Sequence, residues 1–139
     1  MEKDILLLHR MLQEGACCSQ CLVRMGLAVR QEQNRQLEEA AAGLCGGVGA
    51  GMLCGALTGG AMCLSLFDPE LAQAEMIPDL AEWFRETCGE AYGGTDCHTI
   101  LSGDPSNKPL RCPGIVENVW RKIREILEDE GFEPELPEE

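Results

Sequence analysis

Cysteine is the residue type in this chain whose chemistry stands out, because nine of the 139 residues carry a thiol. Thiolates bind soft metal ions and exchange disulfides. Nine is an odd number, so at least one thiol stays unpaired however the others pair, and a reducing compartment disfavours a disulfide framework. The cysteine content therefore predicts metal binding or redox chemistry.

Three of the cysteines lie in a glycine-rich stretch, residues 43–63, with the sequence GLCGGVGAGMLCGALTGGAMC. The glycines within residues 46–51 would each cost a helix about 1 kcal/mol relative to alanine, so this part predicts a loop. A regular helix should follow from about residue 51 to residue 66. Glycines every fourth residue along it would leave a groove in which another backbone can approach. These glycines are Gly51, Gly55 and Gly59.

Apolar residues spaced by three and four predict helices along most of the chain, and the strict alternation that strands require is absent. The predicted helices cover residues 4–13, 16–30, 51–66 and 113–130, together with a charged segment that stops at Gly43 and a short turn at 96–103. Two further helix starts are predicted at Asp68-Pro69 and Ile77-Pro78, in a segment that ends at Gly89. We therefore expect an all-α fold, a compact single-domain bundle of about five to six helices with a buried glycine-rich central helix. The domain should cover residues 1–131, followed by an acidic flexible tail at 132–139.

Four cysteines fall in or just before the first turn of a predicted helix. They are Cys18, Cys54, Cys97 and Cys112. Unbonded N–H groups and the positive end of the helix dipole favour a thiolate at such positions. Pro113 predicts that Cys112 is the N-cap of the last helix, and Asp96 is expected to cap the turn that holds Cys97.

The formal net charge of -13 opposes thiolate formation, because the field of an acidic protein raises thiol pKa values. Helix N-termini, Arg111 and Lys108 near Cys112, and above all a bound metal would compensate. The same charge argues against nucleic acid and anionic membrane surfaces as partners. A membrane span is not expected either, since eight glycines dilute the uncharged stretch 40–67 and acidic residues flank it.

The other five cysteines are Cys17, Cys21, Cys45, Cys63 and Cys88. Cys88 at a helix C-terminus and Cys63 deep in an apolar helix are expected to be inert core residues. Cys45 lies in the glycine-rich stretch, where a structural and a functional role both stay open. Cys18 and Cys21 have the CxxC spacing that holds a disulfide or two metal ligands. The candidates for additional ligands or resolving thiols are Cys17, Cys21 and Cys45.

The four helix-end cysteines resemble those of a family of redox-active proteins named for the pattern C-GCAxxG-C-C. Its second cysteine lies in a CGAxxG motif, which stands here as CGALTG at residues 54–59. The first is similar to GACCSQ with Cys18 in the cysteine position, and the last two resemble DCHTIL at Cys97 and RCPGIVENV at Cys112. The resemblance spans about residues 5–127 and implies an α-helical redox protein; a related domain in a cytochrome is associated with an iron–sulfur centre. The five further cysteines depart from the pattern, which leaves open a second centre or a disulfide relay.

Three functions fit these residues. The first is electron transfer by an iron–sulfur cluster that the four family cysteines ligate, with bare glycine backbone giving amides access to its sulfur atoms. The residues expected around the cluster are Gly51, Gly55, Gly59, His98 and Arg111. The second is a thiol–disulfide oxidoreductase or redox sensor, with Cys18 and Cys21 as an exchanging pair. The third is a structural tetrathiolate zinc site.

The expected cellular context follows from the composition and the first residues. The apolar run at residues 5–8 is short and follows acidic residues, so it does not form a secretory signal, and we expect a cytoplasmic protein. An electron carrier needs a redox protein as its partner. A homodimer packed through the glycine-rich helix is a further expectation, because the chain has few large aromatic residues for a monomer core.

Overall fold

α-Helices form the regular structure of residues 2–138, the part of the chain that the computed structural model describes. The helices are α1 (Lys3–Gln13), α2 (Cys18–Val29), α3 (Arg35–Ala40), α4 (Gly55–Ser65), α5 (Pro69–Leu71), α6 (Ile77–Tyr92), α7 (Cys97–Ile100) and α8 (Lys108–Asp129). Tight 3-10 turns at Ala41–Leu44 and Pro105–Asn107 and wider π turns at Gly47–Gly51 and Ala72–Met76 connect some of them. Within this range no strand forms and six helices have at least six residues, which confirms the predicted all-α bundle.

Glycines let α2 and α4 cross in backbone contact at the centre of the fold. A Cβ built on Gly59 of α4 would lie 2.5 Å from Ser19 Cα of α2, and one built on Gly26 of α2 would lie 2.7 Å from Cys63 Sγ of α4. No side chain fits at either position, so α2 of the same chain occupies the predicted groove. The predicted homodimer stays a prediction, and it would use half-exposed residues of α4 such as Met62.

The long helix α8 carries large core side chains and anchors the first helix. Trp120 of α8 and Phe84 of α6 are fully buried. The indole N–H of Trp120 donates to Asp4 Oδ2 of α1 at 2.8 Å, and Arg124 donates to the same oxygen at 2.7 Å. Asp4 is itself buried, so this pair of hydrogen bonds satisfies a carboxylate inside the fold.

Residues in the left-handed region shift two of the predicted helix boundaries. Helix α4 begins at Gly55 rather than near Gly51, because several residues before it have positive φ, including Val48 with φ 53°. Helix α6 passes Gly89 and ends at Tyr92, since Gly93 with φ 86° supplies the left-handed stop. One glycine inside a helix costs only about 1 kcal/mol, which burial of the flanking apolar side chains offsets.

The last helix begins earlier than the sequence predicts, and this changes the position of Cys112. Asp104 accepts a hydrogen bond from the N–H of Ser106 at 3.0 Å and caps a 3-10 turn that continues directly into α8. Helix α8 therefore starts at Lys108, and Pro113 lies inside it. Cys112 is in the second turn and is not an N-cap, so the prediction from Pro113 is wrong. The reason is that Asp104 and the proline that follows it form a complete start signal upstream.

The acidic tail has no regular secondary structure over residues 132–138. Phe132 and Leu136 pack against the core, and the ring of Phe132 meets that of Phe67 edge-on with centroids 5.5 Å apart. The flexibility predicted for the tail stays a prediction, and Glu139 lies outside the described residues. Within residues 2–138, no helix has the length and apolar character needed to cross a membrane.

Candidate functional site

One cavity of about 230 Å³ brings together cysteines from four separate segments of the chain. Its thiols belong to Cys18, Cys54, Cys97 and Cys112. They come from the first residue of α2, the residue before α4, the first residue of α7 and the second turn of α8. Aliphatic side chains such as Ile100, Ile115 and Val116 line much of the remaining wall. The cavity is therefore lined by thiols and is otherwise mainly apolar.

Gly55 sets how closely Cys18 approaches α4. A Cβ built on Gly55 would lie 2.6 Å from Cys18 Sγ and 3.1 Å from the carbonyl oxygen of Leu44. Both distances are shorter than ordinary van der Waals contact. The glycine that follows Cys54 in the CGALTG motif therefore has a packing role, because it lets a second cavity sulfur lie against the start of α4.

An isolated β-bridge between Leu53 and Asp96 joins the chain segments that carry Cys54 and Cys97. The N–H of Cys54 donates to the carbonyl of Thr95 at 3.0 Å, and the N–H of Cys97 donates to the carbonyl of Met52 at 2.7 Å. The bridge joins the segment before α4 to the segment before α7. Because it involves single residues, it leaves no alternating pattern by which the sequence could have shown it.

Asp96 fixes the short helix α7 that carries Cys97. Its Oδ2 accepts hydrogen bonds from the N–H of Thr99 at 2.9 Å and from the Thr99 hydroxyl at 2.8 Å. These bonds favour the ionised carboxylate and lower the pKa of Asp96. The predicted cap at this position is confirmed.

Burial keeps three of the cavity thiols protonated when nothing is bound to them. Desolvation raises the pKa of Cys54 to about 12, raises that of Cys112 to about 11, and also raises that of Cys18. Neighbouring cysteines add to the shifts, because adjacent thiolates repel each other. The positive charge of Lys108, which lines the cavity, lowers the pKa of both Cys18 and Cys112 without outweighing burial. A bound cation would supply the remaining charge needed to form thiolates.

A comparison with known families covers the whole of this cavity. The family described as "putative redox-active protein (C_GCAxxG_C_C)" matches residues 16–126, which is most of the chain. This chain belongs to that family. The match contains all four cavity cysteines and confirms the resemblance seen in the motifs. Neither the curated proteins nor the solved structures gave a match to the chain.

The four C_GCAxxG_C_C cysteines form a donor set that both a zinc ion and an iron–sulfur cluster can use. A tetrahedral zinc site with Zn–S distances of about 2.3 Å places its sulfur atoms about 3.8 Å apart. Within residues 2–138, no three His, Cys, Asp or Glu side chains are grouped closely enough to hold one metal ion. An iron–sulfur cluster binds its cysteines through different iron atoms, which spreads the thiolates.

Four of the five residues predicted to surround the family cysteines lie outside the cavity wall, and Gly55 is the one that lines it. His98 is exposed and covers Gly51, where an added Cβ would lie 3.1 Å from His98 Cβ. Arg111 donates to the carbonyl of Ile100 at 2.6 Å, and its guanidinium lies 5.5 Å from the centre of the Tyr92 ring. The basic side chain on the wall is that of Lys108, one turn before Cys112. Arg111 instead ties α8 to α7.

The cysteines outside the family pattern divide into a pair and three buried thiols. Cys17 and Cys45 form a disulfide across a sequence separation of 28 residues. The sequence marked both as candidate resolving thiols but carried no local sign of their pairing. Cys21 is fully buried, and its thiol donates to the carbonyl of Leu8 at 3.6 Å, so the CxxC spacing does not produce a bond to Cys18. The remaining two, Cys63 and Cys88, are buried as core residues.

Proposed function

We propose that this protein transfers electrons through an iron–sulfur cluster held by Cys18, Cys54, Cys97 and Cys112. The observation that carries the proposal is the convergence of these four thiols, from four separate segments, on one cavity. Four thiolates are the usual ligand set of [2Fe–2S] and [4Fe–4S] clusters. When bound, such a cluster supplies one-electron chemistry at a potential that the surrounding protein tunes.

The wall of the cavity suits a buried redox group. Val116 is fully buried and Ile115 nearly so, and both exclude water from the side formed by α8. Gly46 and Gly55 bring backbone without side chains to another part of the wall, where amides can approach thiolate or sulfide sulfur. An apolar wall with backbone amides stabilises a fixed charge distribution and needs little reorganisation when an electron arrives.

Lys108 is positioned to set the potential of the site. It places a positive charge at a thiolate-rich cavity in a chain whose formal net charge is -13. Reduction adds negative charge, and a nearby cation stabilises that state. Lys108 should therefore raise the reduction potential, and removing its charge should lower it.

Iron and sulfide analysis of the full chain tests the proposal. Protein prepared without oxygen and reconstituted with ferrous iron and sulfide should bind both in equal amounts and develop broad visible absorption. Cys97→Ala and Cys112→Ala should each lower the bound iron severalfold, because each removes one of four ligands. Cys88→Ala is the matched control, since it removes a buried thiol that does not line the cavity.

Two results would contradict the proposal. Stoichiometric zinc without sulfide, lost in the same cysteine variants, would identify the structural zinc site instead. Reconstituted protein that binds no metal, or binds it equally well in all three variants, would exclude the four cysteines as ligands.

The proposed electron carrier needs a protein donor and a protein acceptor, and the cytoplasm is the compartment that we assign to it. Reducing conditions there keep exposed and half-buried thiols from oxidising. Cys18, Cys97 and Cys112 are half-buried, so they depend on such conditions until a cluster occupies them.

A further inference from the structure

A second sulfur pair lies beside the four-thiol cavity without lining it. Cys17 and Cys45 are bonded in the structure, with Cα atoms 6.1 Å apart, a separation within the usual range for disulfides. Both residues are half-buried, so a reductant has access from solvent. Neither residue belongs to the family pattern, and the proposed cluster does not use either of them.

Each half of this pair is joined through the chain to the cavity wall. Cys17 precedes Cys18, and Cys45 precedes Gly46, and both of the following residues line the cavity. The segments that contain these two cysteines also approach each other at Gly55, where an added Cβ would lie 2.6 Å from Cys18 Sγ and 3.6 Å from Cys45 Cα. The bond therefore ties the start of α2 to the segment that forms one side of the cavity.

The segment held by this bond is the glycine loop, which we define as residues 46–53. Four of its residues are glycines with positive φ, and Val48 and Met52 expose 55% and 60% of their surface. At its far end the loop is fastened by the β-bridge at Leu53. At its near end it is fastened by the disulfide. A glycine-rich segment gains conformational freedom when a covalent restraint at one end is released.

Ser19 provides a hydrogen-bond acceptor that only a reduced pair can use. Its hydroxyl donates to the carbonyl of Ala41 at 2.7 Å, so the single O–H proton is already committed. The same oxygen lies 2.9 Å from Cys45 Sγ and 3.7 Å from Cys17 Sγ. A disulfide sulfur has no proton to donate, whereas a thiol at either position has one. The fully buried Ser19 thus favours the dithiol state.

We propose that Cys17 and Cys45 form a second redox centre, a two-electron dithiol–disulfide couple whose oxidised form fastens the glycine loop beside the cavity. A dithiol reductant donates two electrons and two protons, the S–S bond breaks, and Cys17 and Cys45 become thiols. The reductant leaves as its own disulfide, and the reverse reaction uses a disulfide oxidant of the same class. Reduction frees the near end of the loop and exposes the side of the cavity at Gly46.

Thiol trapping across a redox series tests the couple. The full-length protein without metal is equilibrated in mixtures of reduced and oxidised dithiothreitol, trapped with a maleimide, and mapped by fragmentation of its peptides. Two thiols per chain should appear in a single step, at Cys17 and Cys45. The Cys88→Ser variant should keep this step, and the Cys17→Ser and Cys45→Ser variants should both lose it.

The same series tests Ser19 and the loop. Ser19→Ala should shift the midpoint toward the disulfide by about fivefold in equilibrium constant, since it removes one hydrogen bond from the reduced state alone. Amides of residues 46–51 should exchange with deuterium roughly tenfold faster in the reduced wild type than in the oxidised one. In Cys45→Ser, added reductant should leave this exchange unchanged.

Three outcomes would overturn the proposal. Cys17 and Cys45 could be trapped as free thiols even in the fully oxidised mixture, or the two-thiol step could persist in Cys17→Ser through other cysteines. Equal exchange of the loop amides in both states would remove the fastening role. All of these measurements use protein without metal, so they stand or fall independently of iron and sulfide binding.

Discussion

Cys54 and Cys97 are fastened to each other's chain segments through their backbone amides. The N–H of Cys54 donates to Thr95, next to Asp96, and the N–H of Cys97 donates to Met52, at 3.0 and 2.7 Å. Both N–H groups already donate to backbone carbonyls, so they position the two cysteines and do not serve as donors to a ligand. Backbone pairing is insensitive to side-chain identity, and it keeps two walls of the cavity together when nothing is bound.

Gly55→Ala should reduce iron binding strongly and the stability of the fold only moderately. The added methyl would meet Cys18 Sγ at 2.6 Å and the Leu44 carbonyl oxygen at 3.1 Å, so both must shift. We expect the free energy of unfolding to fall by about 1–3 kcal/mol, as for other overpacked sites, and bound iron to fall as Cys18 is displaced. Chemical denaturation and iron analysis of the same preparations measure the two effects.

Gly89→Ala is the matched control for that substitution. Gly89 lies inside α6, and an added Cβ would meet nothing within 4 Å. Alanine should therefore raise the stability by up to about 1 kcal/mol through helix propensity and leave iron binding unchanged. Equal losses in the two variants would show that Gly55 has no special role beside Cys18.

Reduction of the Cys17–Cys45 bond should lower the stability of the protein. Its two cysteines are 28 residues apart, and opening a loop of that length restores unfolded-state entropy worth about 3.6 kcal/mol. The denaturation midpoint in urea should fall when dithiothreitol is added to the wild type. Cys45→Ser should start at the lower midpoint and show no response to the reductant, and a wild type indifferent to reductant would contradict the prediction.

The free energy of unfolding should fall in alkaline solution, because buried thiols lose their protons more readily in the unfolded state than in the folded state. Burial raises the pKa of Cys21 and Cys63 to about 12, above the ordinary value of 9.0. Below pH 9 both states hold the proton; as pH rises from 9 toward 12 the unfolded state loses it first, and stability is lost. Each thiol should contribute a loss of about 1.4 kcal/mol by about pH 10.

Denaturation curves between about pH 8 and pH 10 measure this slope. Cys63→Ala removes one of the thiols whose pKa burial raises, and it should have a shallower dependence on pH, whatever its stability at neutral pH. An identical slope in the variant would show that ionisation of Cys63 does not contribute.

Asp4→Ala should destabilise the protein by about 3 kcal/mol. The change leaves the indole N–H of Trp120 and the guanidinium of Arg124 without the oxygen to which both donate. Asp129→Ala, at the exposed end of α8, is the control and should change the stability by less than about 0.5 kcal/mol. Thermal or chemical denaturation gives both values, and a loss at Asp4 no larger than at Asp129 would contradict the assigned role.

The helical class, the buried glycine-rich helix and several helix boundaries could be predicted from the order of the amino acids. These features depend on interactions between residues close in the chain: apolar spacing of three and four, caps such as Asp96, and left-handed glycines. The motifs also singled out the four family cysteines. A local signal can be misplaced when a stronger one precedes it, which is why Pro113 predicted the wrong start for α8.

The pairing and grouping of the sulfur atoms could not be predicted in this way, because it depends on how distant segments pack. Cys17 is bonded to Cys45, Cys21 turns into the core, and Cys18 faces the cavity, although all three of the early cysteines share one short segment. Those outcomes depend on the close crossing of α2 and α4 and on a bridge between single residues. Contacts between distant segments are set by packing and backbone pairing across the fold, and neither leaves a periodic trace in the sequence.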